Sequence, residues 1–144
     1  MVRYMEYKIT LRDESETIEL AENMESEKFA NMVICLNGDL GSGKTVFAKG
    51  FASALGIDEV ITSPTYNIVK EYYSGEMPLF HMDVYRLDET DVMIDFSEYF
   101  VKKGVSIIEW SDMIKDELPD ERLEINFKII GEDTRLVIIK PIGK

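Results

Sequence analysis

A glycine-rich segment between two apolar ones constrains this chain more than any other feature. Residues 38–45, GDLGSGKT, match the pattern G-x-x-x-x-G-K-[ST]. The apolar run MVICLN (32–37) before it is typical of a buried strand, and the helical pattern VFAKGFASAL after it ends at Gly56. Glycines let consecutive backbone N–H groups turn toward one anion, and the following helix adds its positive end. The order therefore predicts a phosphate-binding P-loop.

The loop pattern predicts roles for single residues. We expect Lys44 to reach the β- and γ-phosphates and to act in catalysis, and Thr45 to offer its hydroxyl to Mg²⁺. The predicted nucleotide-binding residues are consecutive: Gly38, Asp39, Leu40, Gly41, Ser42, Gly43, Lys44, Thr45 and Val46. A P-loop predicts a nucleotide but not a reaction, so the other motifs must decide the function.

The remaining patterns predict one α/β domain spanning residues 1–144. We expect a three-layer P-loop NTPase-like fold with a mixed parallel and antiparallel sheet. A helix should run from Asp13 or Ser15 to about Ala30, and another from Asp88 to about Lys103. The other predicted elements are strands at 7–11 and 104–110, a short helix at 111–118, and hairpins formed by 66–73 with 78–85 and by 122–130 with 134–140.

Composition excludes several classes of function. A net charge of −12 argues against a free-standing nucleic-acid binder, which needs clustered Lys and Arg. One cysteine, Cys35, cannot form an internal disulfide, and with the single histidine it is too small a ligand set for zinc. The chain has no membrane-length apolar run and its first residues lack a signal-peptide core, so we expect a cytoplasmic protein.

Two carboxylates are candidates for the chemistry. Glu109 ends the apolar run VSIIEW, as expected of a strand beside a P-loop that holds Mg²⁺. Asp83 lies in FHMDVYRLDE (80–89), where alternation along a strand puts Phe80, Met82 and Val84 on one face and His81, Asp83 and Tyr85 on the other. Asp83 can thus serve the Mg²⁺ shell or the attacking water, and the sequence leaves open which carboxylate touches the metal.

Three further positions have two interpretations each. Arg86 is either an internal phosphate clamp or a partner of the acidic segment 88–91, and no other arginine is expected near the motifs. Trp110 either stacks on a base or fills the edge of the core. His81 is either a structural hydrogen-bonding group or a support for the site. The segment ITSPTYN (61–67) is either a γ-phosphate-sensing switch with Ser63 and Thr65 or an ordinary proline turn.

The motifs GDLGSGKT, TSPTY, HMDVYRL, SEYF and IIEW, in this order, resemble the TsaE (YjeE) family of small bacterial P-loop ATPases. The resemblance runs from about Thr10 to Arg122. It implies ATP and Mg²⁺ as ligands and a role in making threonylcarbamoyladenosine, the modified adenosine beside the anticodon of some tRNAs. It also implies TsaB and TsaD as partners, whose complex transfers the threonylcarbamoyl group and alone holds the tRNA.

Matched residue by residue, the resemblance implies that Lys44 is the P-loop lysine, that Thr45 and Glu109 are Mg²⁺ ligands, and that Asp83 is the essential carboxylate of an HxDxYR motif. It also implies a switch-like role for Ser63 and Thr65, and a place near the adenine for residues 13–17. Asp95 departs from the family, which commonly has glycine there. The strands from about Glu124 match no motif.

Other functions remain as alternatives. A small-molecule or nucleoside kinase suits the P-loop and the size, but such kinases bring several arginines over the transferred phosphate and this chain has five, scattered. A GTPase-like switch normally carries an [NT]-K-x-D motif, which is lacking. A binding module with an inactive P-loop fits least, because the lysine, threonine and both carboxylates are present.

Overall fold

The computed structural model describes residues 6–62, 68–85 and 94–143. The seven strands are β1 (Tyr7–Leu11), β2 (Met32–Gly38), β3 (Val69–Tyr72), β4 (Leu79–Asp83), β5 (Val105–Glu109), β6 (Arg122–Ile129) and β7 (Arg135–Ile142). The helices are α1 (Glu14–Glu25), α2 (Lys44–Ala54), α3 (Ser97–Phe100) and a 3₁₀ helix, Ser111–Glu117. The strands form one sheet in the order β1-β7-β6-β2-β5-β4-β3.

The sheet is parallel at its centre and antiparallel at both edges. β2 pairs in parallel with β5 and β6, and β5 pairs in parallel with β4. The hairpins β3–β4 and β6–β7 and the pair β1–β7 are antiparallel. The predicted mixed α/β sheet and both predicted hairpins are therefore confirmed. The carboxyl ends of β2, β4 and β5 meet at one edge of the sheet, as parallel strands require.

The two faces of the sheet have separate apolar clusters. α1 and α2 cover one face, where Ile34 and Ile107 of the sheet share a cluster with Phe47 and Phe51 of α2. The other face holds a smaller cluster that includes Phe96 and Ile114. β2 is buried on both faces, which is why its sequence is a continuous apolar run rather than an alternating one.

Helix α1 begins as predicted and ends early. Asp13 caps it by accepting a hydrogen bond from the Glu16 N–H at 3.1 Å. The expected end near Ala30 is wrong, because the helix stops at Glu25. The Ser26 hydroxyl donates to the Asn23 carbonyl at 2.6 Å, and the chain then turns toward β2. Phe29, which lies within the predicted helix, is 58% exposed beyond the end of the observed one.

The predicted helix from Asp88 to Lys103 falls mostly on residues outside the described part of the chain. Within residues 94–103, the helix spans only Ser97–Phe100. The Asp95 carboxylate accepts hydrogen bonds from the Ser97 N–H at 3.1 Å and from its hydroxyl at 2.5 Å. Asp95 thus stabilises the turn that begins this helix. Over the described residues, no helix is long and apolar enough to cross a membrane.

Candidate nucleotide-binding site

The glycine-rich segment connects the end of β2 to the start of α2, as its sequence predicts. Gly41 and Gly43 have φ angles of 78° and 114°, which residues with a Cβ rarely adopt. Gly38 pairs with Phe127 of β6, and a Cβ added to Gly38 would lie 2.7 Å from the Phe127 carbonyl oxygen. The glycines are therefore required both by backbone conformation and by the close approach of β6.

Lys44 lies inside the loop. Its Nζ donates to the carbonyl oxygens of Gly38 and Asp39, the latter at 3.1 Å, and the residue is 5% exposed. Burial lowers the pKa of the Lys44 ammonium, while the nearby carboxylates of Glu109 and Asp83 oppose that shift. The ammonium is thus a desolvated cation surrounded by acceptors, which is the arrangement that binds phosphate oxygens strongly.

Thr45, Glu109 and His81 form a chain of hydrogen bonds. The Thr45 hydroxyl donates to Glu109 Oε1 at 3.3 Å, and His81 Nε2 lies 2.6 Å from Glu109 Oε2. Glu109 is 2% exposed and His81 is fully buried. Glu109 ends β5 as predicted, but it is a buried, oriented carboxylate rather than an exposed one. The buried contact with Glu109 agrees with the structural interpretation of His81, and its supporting role in the site stays a prediction.

Asp83 lies beside Glu109, because the two residues are register partners at the ends of β4 and β5. The predicted alternation along β4 is confirmed: Phe80 and Met82 are buried in the cluster on one face, while Asp83 lines the cavity beside the glycine-rich loop. The Asp83 carboxylate accepts a hydrogen bond from the Tyr85 N–H at 3.1 Å.

Trp110 follows Glu109 with a φ of 64°, in the left-handed region. Its ring lies 4.5 Å from that of Tyr85, and the Lys44 ammonium lies 3.9 Å from its centroid. A cation over the face of an indole is attracted by the ring quadrupole. Trp110 also packs on the smaller apolar cluster, so it both fills the edge of the core and faces the site.

These side chains share one cavity of about 270 Å³. Seven of the nine predicted loop residues, 40–46, line the cavity. Gly38 and Asp39 do not line it, but their carbonyl oxygens accept hydrogen bonds from Lys44 Nζ. The other lining residues come from four parts of the chain: Asp13, Glu14, Thr17, Asp83, Glu109, Trp110, Asp133 and Arg135. The start of α1, which the family resemblance implies lies near the adenine, is thus part of the same cavity.

The donor set suits a hard cation such as Mg²⁺. A hydroxyl oxygen and a carboxylate oxygen 3.3 Å apart, with a second carboxylate beside them, match the oxygen ligands that Mg²⁺ takes in proteins. Mg²⁺ keeps several waters and binds through one or two carboxylates plus substrate phosphates. Accordingly, the described residues contain no group of three or more His, Cys, Asp or Glu side chains that could hold a metal alone.

Three predicted site residues cannot be placed. Ser63 and Thr65 of the expected switch segment, and Arg86, lie outside the described residues. Their proposed roles stay predictions.

The expectation that no arginine other than Arg86 lies near the motifs is wrong. Arg135, at the start of β7, donates from Nη2 to the Gly41 carbonyl at 3.0 Å and from Nε to the Ser42 carbonyl at 3.2 Å. Sequence reasoning missed it because 93 residues separate Arg135 from Ser42. The predicted hairpin put Arg135 at the start of a strand, but no sequence signal put that strand beside the loop: only the pairing of β6 with β2 does so.

Comparisons with known proteins point to one family. Residues 11–137 match the family model "Threonylcarbamoyl adenosine biosynthesis protein TsaE". The chain is 47% identical over 111 residues to the tRNA threonylcarbamoyladenosine biosynthesis protein TsaE of Bacillus subtilis, covering 77% of this chain and 70% of the relative. It is 38% identical to the protein of that name from a Nostoc species, covering 94% of this chain and 86% of the relative.

Among solved structures, the crystal structure of Bacillus subtilis YdiB superposes with a TM-score of 0.86 at 37% sequence identity. The match covers 99% of this chain and 90% of YdiB. The sheet with its helices is thus shared nearly from end to end. The chain belongs to the TsaE family of threonylcarbamoyl adenosine biosynthesis proteins.

Proposed function

We propose that the protein binds ATP with Mg²⁺, hydrolyses it, and supports tRNA threonylcarbamoyladenosine biosynthesis by acting on a TsaB–TsaD transferase complex. One observation carries the ATPase part: Lys44, Thr45, Asp83 and Glu109, from three elements of the fold, line the same cavity beside a glycine-rich loop. Family membership supports the role in threonylcarbamoyladenosine biosynthesis, and the names of the relatives specify that the modified adenosine belongs to tRNA.

The proposed roles follow from the contacts. Lys44 exchanges the loop carbonyls for the β- and γ-phosphate oxygens of ATP, a favourable exchange for a desolvated ammonium. Thr45 and Glu109 would hold Mg²⁺, which when bound neutralises charge on the phosphates. Asp83, the register partner of Glu109 at the end of β4, would orient the attacking water, because it lines the same cavity. The water oxygen then bonds to the γ-phosphorus while the bond from that phosphorus to the β–γ bridging oxygen breaks. The products are ADP, phosphate and a proton.

Replacing each carboxylate by the corresponding amide tests the separate roles proposed for Glu109 and Asp83. Glu109→Gln should raise the Mg²⁺ concentration that gives half-maximal hydrolysis. Asp83→Asn should lower kcat by about 10²-fold or more without moving that concentration. Free phosphate release is the assay, with Lys44→Ala as the inactive reference. An unchanged Mg²⁺ requirement in Glu109→Gln, or a raised one in Asp83→Asn, would reverse the assignment.

The role in the pathway needs a separate experiment. A tagged copy of the protein is mixed with purified TsaB–TsaD in the presence of ATP and Mg²⁺, and in their absence. We expect capture that depends on ATP and that Lys44→Ala abolishes. Equal capture under both conditions, or none, would refute the proposed coupling. Phosphate appearing on an added nucleoside instead of in solution would favour a kinase.

The acidic composition of the chain is consistent with a partner complex, and not this protein, holding the tRNA. With a net charge of −12, the chain lacks the positive charge needed to hold tRNA itself. The partner complex would hold the tRNA, so we expect no measurable binding of tRNA to the protein alone at physiological salt.

A further inference from the structure

Within the described part of the chain, the hydrogen bonds of Arg135 go to backbone carbonyls. Its Nε and Nη2 donate to Ser42 and Gly41 of the phosphate loop at 3.2 and 3.0 Å. Its Nη1 donates to three carbonyls of residues 131–134, the turn between β6 and β7, at 3.1 to 3.3 Å. One guanidinium thus connects the turn of the C-terminal hairpin to the phosphate loop.

The loop needs such a connection for a geometric reason. In a planar trans peptide the C=O and the N–H point in opposite directions. A loop that turns N–H groups toward a phosphate therefore turns the matching carbonyls away from it. The Ser42 carbonyl belongs to the same peptide as the Gly43 N–H, so holding that carbonyl from outside aims the N–H inward. Gly41 and Gly43, with φ of 78° and 114°, have no Cβ to restrict the loop themselves.

Arginine suits this task better than lysine would. Its planar fork presents several N–H donors in fixed directions and can bind two neighbouring carbonyls at once. Lysine offers a single point charge on a flexible stem. Because Nε, Nη1 and Nη2 each donate to a carbonyl of one of the two segments, we expect Arg135 to act on a bound phosphate through the loop.

We propose that Arg135 is a positioning residue for the phosphate loop: it holds the outward-facing carbonyls and so orders the N–H groups that receive the phosphates of ATP. The proposal rests on the function proposed above and gives the C-terminal hairpin, which carries no recognisable motif, a role in nucleotide binding.

The test measures nucleotide affinity in single variants. Trp110 is the only tryptophan and lines the cavity, so its fluorescence reports ATP and ADP binding directly. Arg135→Met should raise the Kd for both nucleotides about tenfold, the scale of losing hydrogen bonds made by a charged group. Arg135→Lys should recover part of this loss. KM for ATP should rise with Kd while kcat stays within about twofold, because ordered N–H groups bind substrate and transition state alike.

The same hairpin provides a matched control. Arg122 is at the other end of β6, is also half-buried, and also donates to a carbonyl, that of Pro119 at 3.0 Å. Arg122→Met should leave the nucleotide Kd within about twofold. An equal loss in Arg122→Met would mean that hairpin stability alone is responsible, and would overturn the proposal.

The remaining outcomes separate this inference from the proposed function. If the wild type binds ATP and Arg135→Met binds it equally well, the positioning role is wrong and the ATPase proposal stands. If the wild type binds no ATP, both are wrong. Should Arg135→Met fail to fold, Arg135→Lys decides: wild-type affinity in that variant overturns the proposal, and a loss of about threefold or more supports it.

Discussion

Replacing His81 by leucine should test how the buried Glu109 carboxylate is stabilised. His81 is fully buried and its Nε2 lies 2.6 Å from Glu109 Oε2, while its Nδ1 has no hydrogen-bond partner among the described residues. Leucine keeps most of the volume and removes the polar contact. Glu109, 2% exposed, would keep the hydroxyl of Thr45 at 3.3 Å on its other oxygen.

The expected cost follows from leaving a buried charge with fewer partners. Removing one partner of a buried hydrogen bond leaves the other group unsatisfied, which costs about 1–3 kcal/mol and more for a charged group. Since Thr45 remains, we expect about 3 kcal/mol for His81→Leu, which lowers the melting temperature by roughly 10 °C in a chain of this size. His81→Gln places an amide N–H where Nε2 was, so it should lose about 1 kcal/mol or less.

Urea denaturation of four proteins measures the coupling: wild type, His81→Leu, Glu109→Leu and the double variant. The second substitution should cost much less in the presence of the first, giving a coupling energy of about 2 kcal/mol. If the two costs are additive, or if His81→Leu loses less than about 1 kcal/mol, the 2.6 Å contact does not hold the carboxylate and the reasoning is refuted.

Two further predictions concern the glycines and the buried thiol of Cys35. Gly38→Ala should destabilise the protein by about 2 kcal/mol or more, because the new Cβ would lie 2.7 Å from the Phe127 carbonyl oxygen. Gly41→Ala, with open space but a φ of 78°, should cost about 1 kcal/mol, and Gly131→Ala, with ordinary contacts, less than about 0.5 kcal/mol. A different order in urea denaturation would contradict this account. Burial raises the pKa of the Cys35 thiol to about 12, so alkylation at pH 8 should require unfolding, and modification at the rate of a free thiol would show that the core opens.

The phosphate loop and the sheet were predictable from local patterns. A strand buried on both faces is continuously apolar, and a loop that turns N–H groups inward needs glycines, so GDLGSGKT after MVICLN specified its own conformation. The alternation in FHMDVYRLDE likewise specified which side of β4 faces the site, because the side-chain period of a strand is fixed.

Element ends were less predictable. The apolar spacing past Glu25 suggested a longer α1, yet the Ser26 hydroxyl bonds back to Asn23 and the chain turns there. Helix pattern and helix end depend on different interactions: past Glu25 the backbone bonds become i→i+3, from the Glu27 N–H to the Met24 carbonyl and from the Lys28 N–H to the Glu25 carbonyl.

The sequence alone determined the features that short stretches impose: a glycine-rich loop between a strand and a helix, a strand-end glutamate and an aspartate on the polar face of its strand. What only the tertiary structure decided is which distant groups act on those features. The His81–Glu109 contact joins residues 28 positions apart, and the hydrogen bonds from Arg135 to the loop join residues more than 90 positions apart. No local sequence pattern predicts either contact. Both arise from strand order and register, which depend on packing of the whole sheet and not on any single segment.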